Sequence, residues 1–369
     1  MEIIHVRDLV GDDAIVFPYE TFNEMQSIIA KQAYESGALL KYSTLVSCQD
    51  IEEPMVVAAP TGCGKTAVFE LAILGAYRRS SKSGESLRCL YIAPNKALCS
   101  QRYSEWSRAF GRINLSVVEV TGDSEMTQSL SRVAKASIII TTPEKWDSLT
   151  RTWRKHAFLL GSITLLLIDE VHHLSEDRGA VLEAVVVRMR KLREDYTQLK
   201  NSAARPSRVL ALSASLPNVN DIGQWLGCTE NSIHYFDETF RPVPLTVHIV
   251  SYGTSKNSYL YEKHLDPKVP DIIRRYSNNK PSLIFCASKK GSENLADYLA
   301  ANLRLVVQLS PDDNTLIATI QDQRLQRLIK RGVAYHHAGL PVSDKMVVEK
   351  LYLHSKIPVL TSTSTLAFG

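Results

Sequence analysis

The sequence predicts an α/β protein built as two doubly wound parallel-sheet lobes. Short apolar, β-rich runs recur along the chain, each followed by a turn signal and a helix-like stretch. The pattern stops at a proline-bearing segment and restarts beyond it. At 369 residues the chain also exceeds what one core usually serves.

The first series of runs covers 55–58, 89–93, 137–141, 164–168 and 208–212. Near-continuous apolarity on runs this short means burial on both faces, as in a parallel sheet wrapped by helices. The second series is 282–286, 333–336 and 359–363, the first of them followed by a helix-like stretch over 292–303. Between the series, Phe240-Arg241-Pro242-Val243-Pro244-Leu245 carries two prolines that continue neither a helix nor a central strand. The expected division is therefore a first lobe over 1–238, a linker over 239–246 and a second lobe over 247–369. The polar stretches 79–86 and 195–207 read as surface loops, and no repeat of 20–50 residues is present.

Composition sets outer limits. Apolar residues at 44% and charged residues at 22% are those of an ordinary globular protein. A net charge of +4 is too small to argue for a polyanionic partner, which local patches would have to hold. The six cysteines form no C-x-x-C pair, so neither a zinc site nor a disulfide framework is suggested, and reduced thiols in an intracellular compartment fit. No basic leader with an apolar run and no long apolar span is found, so neither secretion nor a membrane span is expected.

The sharpest local signal is Ala59-Pro60-Thr61-Gly62-Cys63-Gly64-Lys65-Thr66. A strand ending just before it and a helix opening at its end would point successive backbone N–H groups at phosphate, and the glycines let the main chain approach the oxygens. Thr61, Gly62, Cys63, Gly64, Lys65 and Thr66 are thus nucleotide-binding candidates. Lys65 would reach the β- and γ-phosphates, and the Thr66 hydroxyl would bind Mg²⁺. Accident produces this pattern in a chain of this length on the order of a few per cent of the time.

Independent support comes from Leu165-Leu166-Leu167-Ile168-Asp169-Glu170, an apolar strand ending in two carboxylates. Alone, such a pair is more often a solvated turn. After a phosphate-binding loop, Asp169 is expected to hold Mg²⁺ through water and Glu170 to orient and deprotonate the attacking water.

Asp169-Glu170-Val171-His172, with Ser213-Ala214-Ser215 after the next strand, resembles motifs II and III of superfamily 2 helicases. Phe22-Asn23-Glu24-Met25-Gln26 resembles the Q motif, which implies that Gln26 reads the adenine edge. Ala93-Pro94-Asn95-Lys96-Ala97-Leu98, Thr121-Gly122-Asp123 and Thr141-Thr142-Pro143-Glu144-Lys145-Trp146-Asp147 resemble motifs Ia, Ib and Ic, which line a single-strand track. In the second lobe, 282–288 resembles motif IV, and Tyr335-His336-His337-Ala338-Gly339-Leu340 and 361–369 resemble the segments up to the start of motif V. The linker and the His-His-Ala-Gly segment are similar to the Ski/Brr branch, and 141–154 is similar to the meiotic crossover DNA helicases of the Mer type.

The resemblance implies two RecA-like lobes, the second truncated at its C-terminal end, and an ATP- and Mg²⁺-dependent nuclear 3′-to-5′ DNA helicase that processes meiotic recombination intermediates. It implies catalytic roles for Lys65, Asp169, Glu170 and His172. A nucleic-acid track would run through Pro94, Thr121, Gly122, Thr142, Pro143, Ser288 and Thr363, with coupling through Ser213, Ser215 and His337. Partners would be single-stranded DNA and branched or duplex DNA. An RNA helicase of the same branch and an ATP-gated scaffold stay open as alternatives, because nothing in the motifs reads the 2′-hydroxyl. The sequence stops at Gly369, within motif V and ahead of the arginine-bearing motif VI. The expectation is accordingly a fragment or incomplete gene that binds nucleotide, hydrolyses it poorly and does not unwind duplex.

Plainer readings stand beside these. Trp146 and Trp153 sit one helix face apart and read as core residues rather than base-stacking platforms. The helix over 179–192 places Leu182, Val185, Met189 and Leu192 inward, leaving Arg188, Arg190, Lys191 and, just beyond it, Arg193 as a solvated basic face. The adjacent pairs His172/His173 and His336/His337 would point to opposite faces of an extended chain, which argues against shared metal ligation.

Overall fold

The computed structural model describes residues 3–35, 53–84, 86–122, 126–155, 157–175, 179–199, 207–253 and 258–366. Cys48, Asp123 and positions 367–369 of the motif V stretch lie outside them. The chain divides into two compact units, Met1–Thr246 and Val247–Gly369.

In the first unit seven strands form one sheet, ordered β3-β4-β2-β5-β6-β1-β7. They are β1 (Met55–Ala58), β2 (Cys89–Ile92), β3 (Val117–Val120), β4 (Ile138–Thr141), β5 (Leu165–Ile168), β6 (Arg208–Ser213) and β7 (Ile233–Tyr235). Every pairing is parallel. Side chains alternate between two cores: Met55, Val57, Leu165 and Leu167 pack on one face, and Val56, Ala58, Leu166 and Ile168 on the other. A strand buried on both sides must be apolar at successive positions, which is why these runs stand out in the sequence. The two strands the sequence reading lacked, β3 and β7, are the sheet's edges; Glu119 is half-buried and Tyr235 exposed. Edge positions tolerate polar residues, so they leave no apolar run.

Both stretches expected as loops are partly helical. Helix Thr66–Ser83 runs through Arg79 and Lys82 and gives way at Gly84, whose φ of +72° suits a glycine at a helix end. Helix Gly179–Leu199 likewise passes the expected boundary at 195. Neither helical part contains a proline to break it, so polar composition alone did not end the helix. Leu182, Val185, Met189 and Leu192 are buried as expected, but Arg188 is not part of a solvated face. It donates to Asp147 Oδ1 at 2.9 Å and Thr150 Oγ1 at 2.6 Å. Trp146 is fully buried, and Trp153 packs at the margin of the same cluster.

In the second unit β8 (Ser282–Phe285), β9 (Val333–His336) and β10 (Val359–Ser362) pair in parallel in the order β8-β10-β9. Strands β9 and β10 are buried throughout. The expectation of two-sided burial fails for β8, where the alternate residues Leu283 and Phe285 are exposed because one face of the strand is open to solvent. Helix Lys289–Asn302 follows it, capped by Ser288, whose Oγ accepts from Gly291 N at 3.0 Å. After a single 3₁₀ turn at Glu238–Phe240, residues 241–253 form no regular element. Among the described residues no helix is long and apolar enough to cross a membrane.

Candidate nucleotide and magnesium site

The loop after β1 turns on Gly62 and Gly64, at φ +83° and +74°, a region that side chains with a Cβ rarely adopt. Thr61 and both glycines are exposed, whereas Cys63 is buried with its Sγ donating to Phe240 O at 3.5 Å. A Cβ on Gly64 would lie 2.5 Å from Gln26 Nε2.

Gln26 is nearly buried, and both ends of its amide are engaged: Nε2 donates to Gly64 O and Oε1 accepts from Asn23 N, each at 2.9 Å. Asn23 Nδ2 donates to Cys63 O at 2.9 Å. The two side chains therefore brace the loop by holding consecutive carbonyls. The residue that the resemblance assigns to adenine contacts the loop itself here.

Lys65 Nζ donates to Ala59 O at 2.8 Å and Pro60 O at 3.1 Å. Burial pulls its pKa down, opposed by the charges of Glu170 and Asp169. Asp169 follows β5 and is fixed from two sides: Tyr91 Oη donates to Oδ2 at 2.6 Å and Glu170 N to Oδ1 at 3.0 Å. Glu170 holds φ +49°, a left-handed conformation costing a non-glycine residue on the order of 1 kcal/mol. Its Oε2 is buried without a hydrogen-bond partner, and its carboxyl is raised in pKa by burial and then by Asp169. His172 Nδ1 stands 3.3 Å from Glu170 Oε2 and 3.3 Å from Ser213 Oγ, although the former contact lacks hydrogen-bond geometry. His172 and His173 do not face opposite ways: in the 3₁₀ turn Val171–Ser175 their rings stack, with centroids 4.5 Å apart.

The donor set suits magnesium. Thr66 offers a hydroxyl and Asp169 a carboxylate, both hard oxygens, and Mg²⁺ usually takes one or two protein oxygens together with phosphate oxygens and water. Such a site would not show as a cluster of protein ligands.

Three contributors escaped the sequence reading. Asn23 lay in a quoted motif without a role. Tyr91 reads as one more apolar strand residue, and Arg102 as a charge on a solvated helix, Lys96–Gly111. Arg102 is in fact buried, donating to Thr66 Oγ1 at 3.2 Å and Glu105 Oε2 at 2.6 Å. No spacing rule separates these from ordinary core and surface positions.

Beneath this cluster, the half-buried residue Glu70 turns its carboxyl inward, where it accepts from Trp106 Nε1 at 3.1 Å. Burial pushes its pKa up from 4.5 to about 7. The folded state thus binds a proton that the unfolded chain releases, so stability should fall as pH rises from about 4.5 to about 7. The loss should be on the order of 2–3 kcal/mol at most, discounted for partial exposure. Melting temperatures across that window should slope downward for the wild type and lose this component in Glu70→Gln.

The first-unit track candidates share one rim of the sheet. Pro94 follows β2, Thr121 and Gly122 follow β3, and Thr142 and Pro143 follow β4, three adjacent strands. Thr121 Oγ1 donates to Glu119 Oε1 at 2.9 Å, and Thr142 is nearly buried at the start of helix Pro143–Thr150. In the second unit Ser288 and Thr363 follow the neighbouring strands β8 and β10. Of the coupling candidates, Ser213 meets His172 and Ser215 is exposed. His337 is buried, stacks on Tyr335 and lies 3.1 Å from Glu293 Oε1.

A doubly wound parallel sheet whose carboxyl rim carries both a phosphate-cradling loop and an acidic pair defines a nucleotide-hydrolase lobe. The sequence model of the DEAD/DEAH box helicase family matches residues 42–222, so this chain carries a DEAD/DEAH box helicase domain. It is 41% identical over 322 residues to the Probable ATP-dependent DNA helicase HFM1 of Homo sapiens, covering 85% of this chain and 22% of that protein. With the ATP-dependent DNA helicase homolog MER3 of Arabidopsis thaliana it shares 36% identity over 383 residues, 99% of this chain and 32% of that one. With the ATP-dependent DNA helicase MER3 of Saccharomyces cerevisiae it shares 35% over 358 residues, 96% and 27% respectively. The chain thus spans less than a third of the length of these relatives.

Proposed function

We propose that this chain carries the nucleotide-binding machinery of an ATP-dependent DNA helicase that moves 3′ to 5′ along one strand. We further propose that it acts in the nucleus on meiotic recombination intermediates to promote crossover formation. The observation that carries the reading is the sharing of one sheet rim by the loop 59–66, the pair Asp169/Glu170 and the turns after β2, β3 and β4. Catalysis and strand contact would then sit along a single edge. In this reading 1–238 is the ATP-binding lobe, 239–246 the linker and 247–369 the second lobe.

Lys65 and the loop amides bind the β- and γ-phosphates, and Thr66 and Asp169 hold the metal. Magnesium, when bound, offsets phosphate charge. Glu170 orients the attacking water and accepts its proton, a role that its raised pKa favours. His172, poised between Glu170 and Ser213, links that carboxylate to the end of β6.

The test is ATP hydrolysis by the full-length protein with single-stranded DNA, with single-stranded RNA and with neither. Stimulation by DNA over RNA is expected. Stimulation by RNA alone would replace the substrate class, and hydrolysis in none of the three would replace the motor with an ATP-gated scaffold.

A further inference from the structure

We propose that Tyr91 and Arg102 are positioning residues that set the two magnesium ligands. The inference rests on the reading of Thr66 and Asp169 as those ligands.

Tyr91 is fully buried in β2, its ring edge-on to Phe69 at 5.7 Å and to Trp106 at 5.0 Å. Locked in this way, its hydroxyl lies between Arg102 and Asp169, and it donates to Asp169 Oδ2 at 2.6 Å. Phenylalanine would fill the same space without the cost of burying a hydroxyl, so packing alone does not account for the oxygen. The hydrogen bond fixes the carboxylate's rotation and leaves lone pairs on both oxygens for a further partner.

Arg102 does the equivalent for Thr66. Its guanidinium lies 5.5 Å over the Trp106 ring, and one arm is held by Glu105, so the other arm is aimed at Thr66 Oγ1. A hydroxyl has two lone pairs and one proton. Arg102 occupies one lone pair, which orients the other for the metal. Trp106 contacts both positioning residues, making the two ligands parts of one buried assembly.

Neither residue touches the reacting atoms, so their loss should weaken magnesium rather than nucleotide binding itself. Partners of metal ligands typically change metal affinity by about 10–100-fold when removed.

The experiment titrates Mg²⁺ against binding of a fluorescent ADP analogue by the full-length protein. Tyr91→Phe should raise the half-saturating Mg²⁺ concentration about ten-fold, with saturating Mg²⁺ restoring wild-type nucleotide affinity and melting in EDTA unchanged. Arg102→Lys keeps charge and stem but loses the fork, and carries the test if Tyr91→Phe melts early. An unshifted Mg²⁺ titration in both variants, alongside a shifted one in Asp169→Asn, overturns the proposal. An unshifted titration in Asp169→Asn overturns the ligand assignment beneath it.

Discussion

Replacing Lys65 by alanine in the full-length protein is expected to lower ATP turnover by about 10²–10³-fold, the scale set by deleting one preorganised charge from a transition-state clamp. Lys65 is half-buried and its ammonium is held against its own loop by the carbonyls of Ala59 and Pro60. The fold should not suffer, because a half-buried ammonium already bears a desolvation cost that its removal relieves. Steady-state hydrolysis and thermal melting, measured on the same preparations, check both halves. Turnover within a few-fold of wild type would remove Lys65 from the site.

The second large effect concerns stability. Arg208 is almost wholly buried at the start of β6, with each nitrogen of its guanidinium bonded to a different carbonyl: Nε to Glu53 O, Nη1 to Ala33 O and Nη2 to Gln32 O, at 3.1, 2.7 and 2.9 Å. Two of those carbonyls belong to the last turn of helix Glu24–Glu35, where a cation also meets the negative end of the helix dipole. Arg208→Ala would leave the three carbonyls without these donors and open a cavity, at about 3–5 kcal/mol. In a lobe of this size that corresponds to a fall in melting temperature of about 10 °C. Arg208→Lys should recover only part of the loss, since one ammonium cannot span three divergent acceptors. A melting temperature unchanged in Arg208→Ala would show that the carbonyls find other donors.

What could be read in advance follows from burial. The central strands were legible because both faces are dry, and the edge strands β3 and β7 were not, because Glu119 and Tyr235 face less interior. The loop 59–66 was legible because glycines at fixed spacing encode a backbone path. Its supports were not: the Asn23 and Gln26 contacts, the Tyr91 hydroxyl on Asp169 and the Arg102 fork on Thr66 join residues far apart in sequence. Each looks locally like a cap, a core aromatic or a surface charge. Arg188 illustrates the same limit, since a basic residue on an amphipathic helix gives no sign that Asp147 waits opposite.

The bracing of the phosphate loop from outside also bears on what can be cut away. Carbonyls 63 and 64 are held by Asn23 and Gln26, and the Cys63 thiol by the carbonyl of Phe240. Those partners fall on either side of the 42–222 stretch that the family shares. A protein trimmed to that stretch would keep every signature residue of the loop and lose the residues that hold its shape. The smallest piece competent to grip a nucleotide is therefore wider than the 42–222 stretch, and mutational surveys or expression designs drawn at the borders of that stretch would sample a weakened receptor.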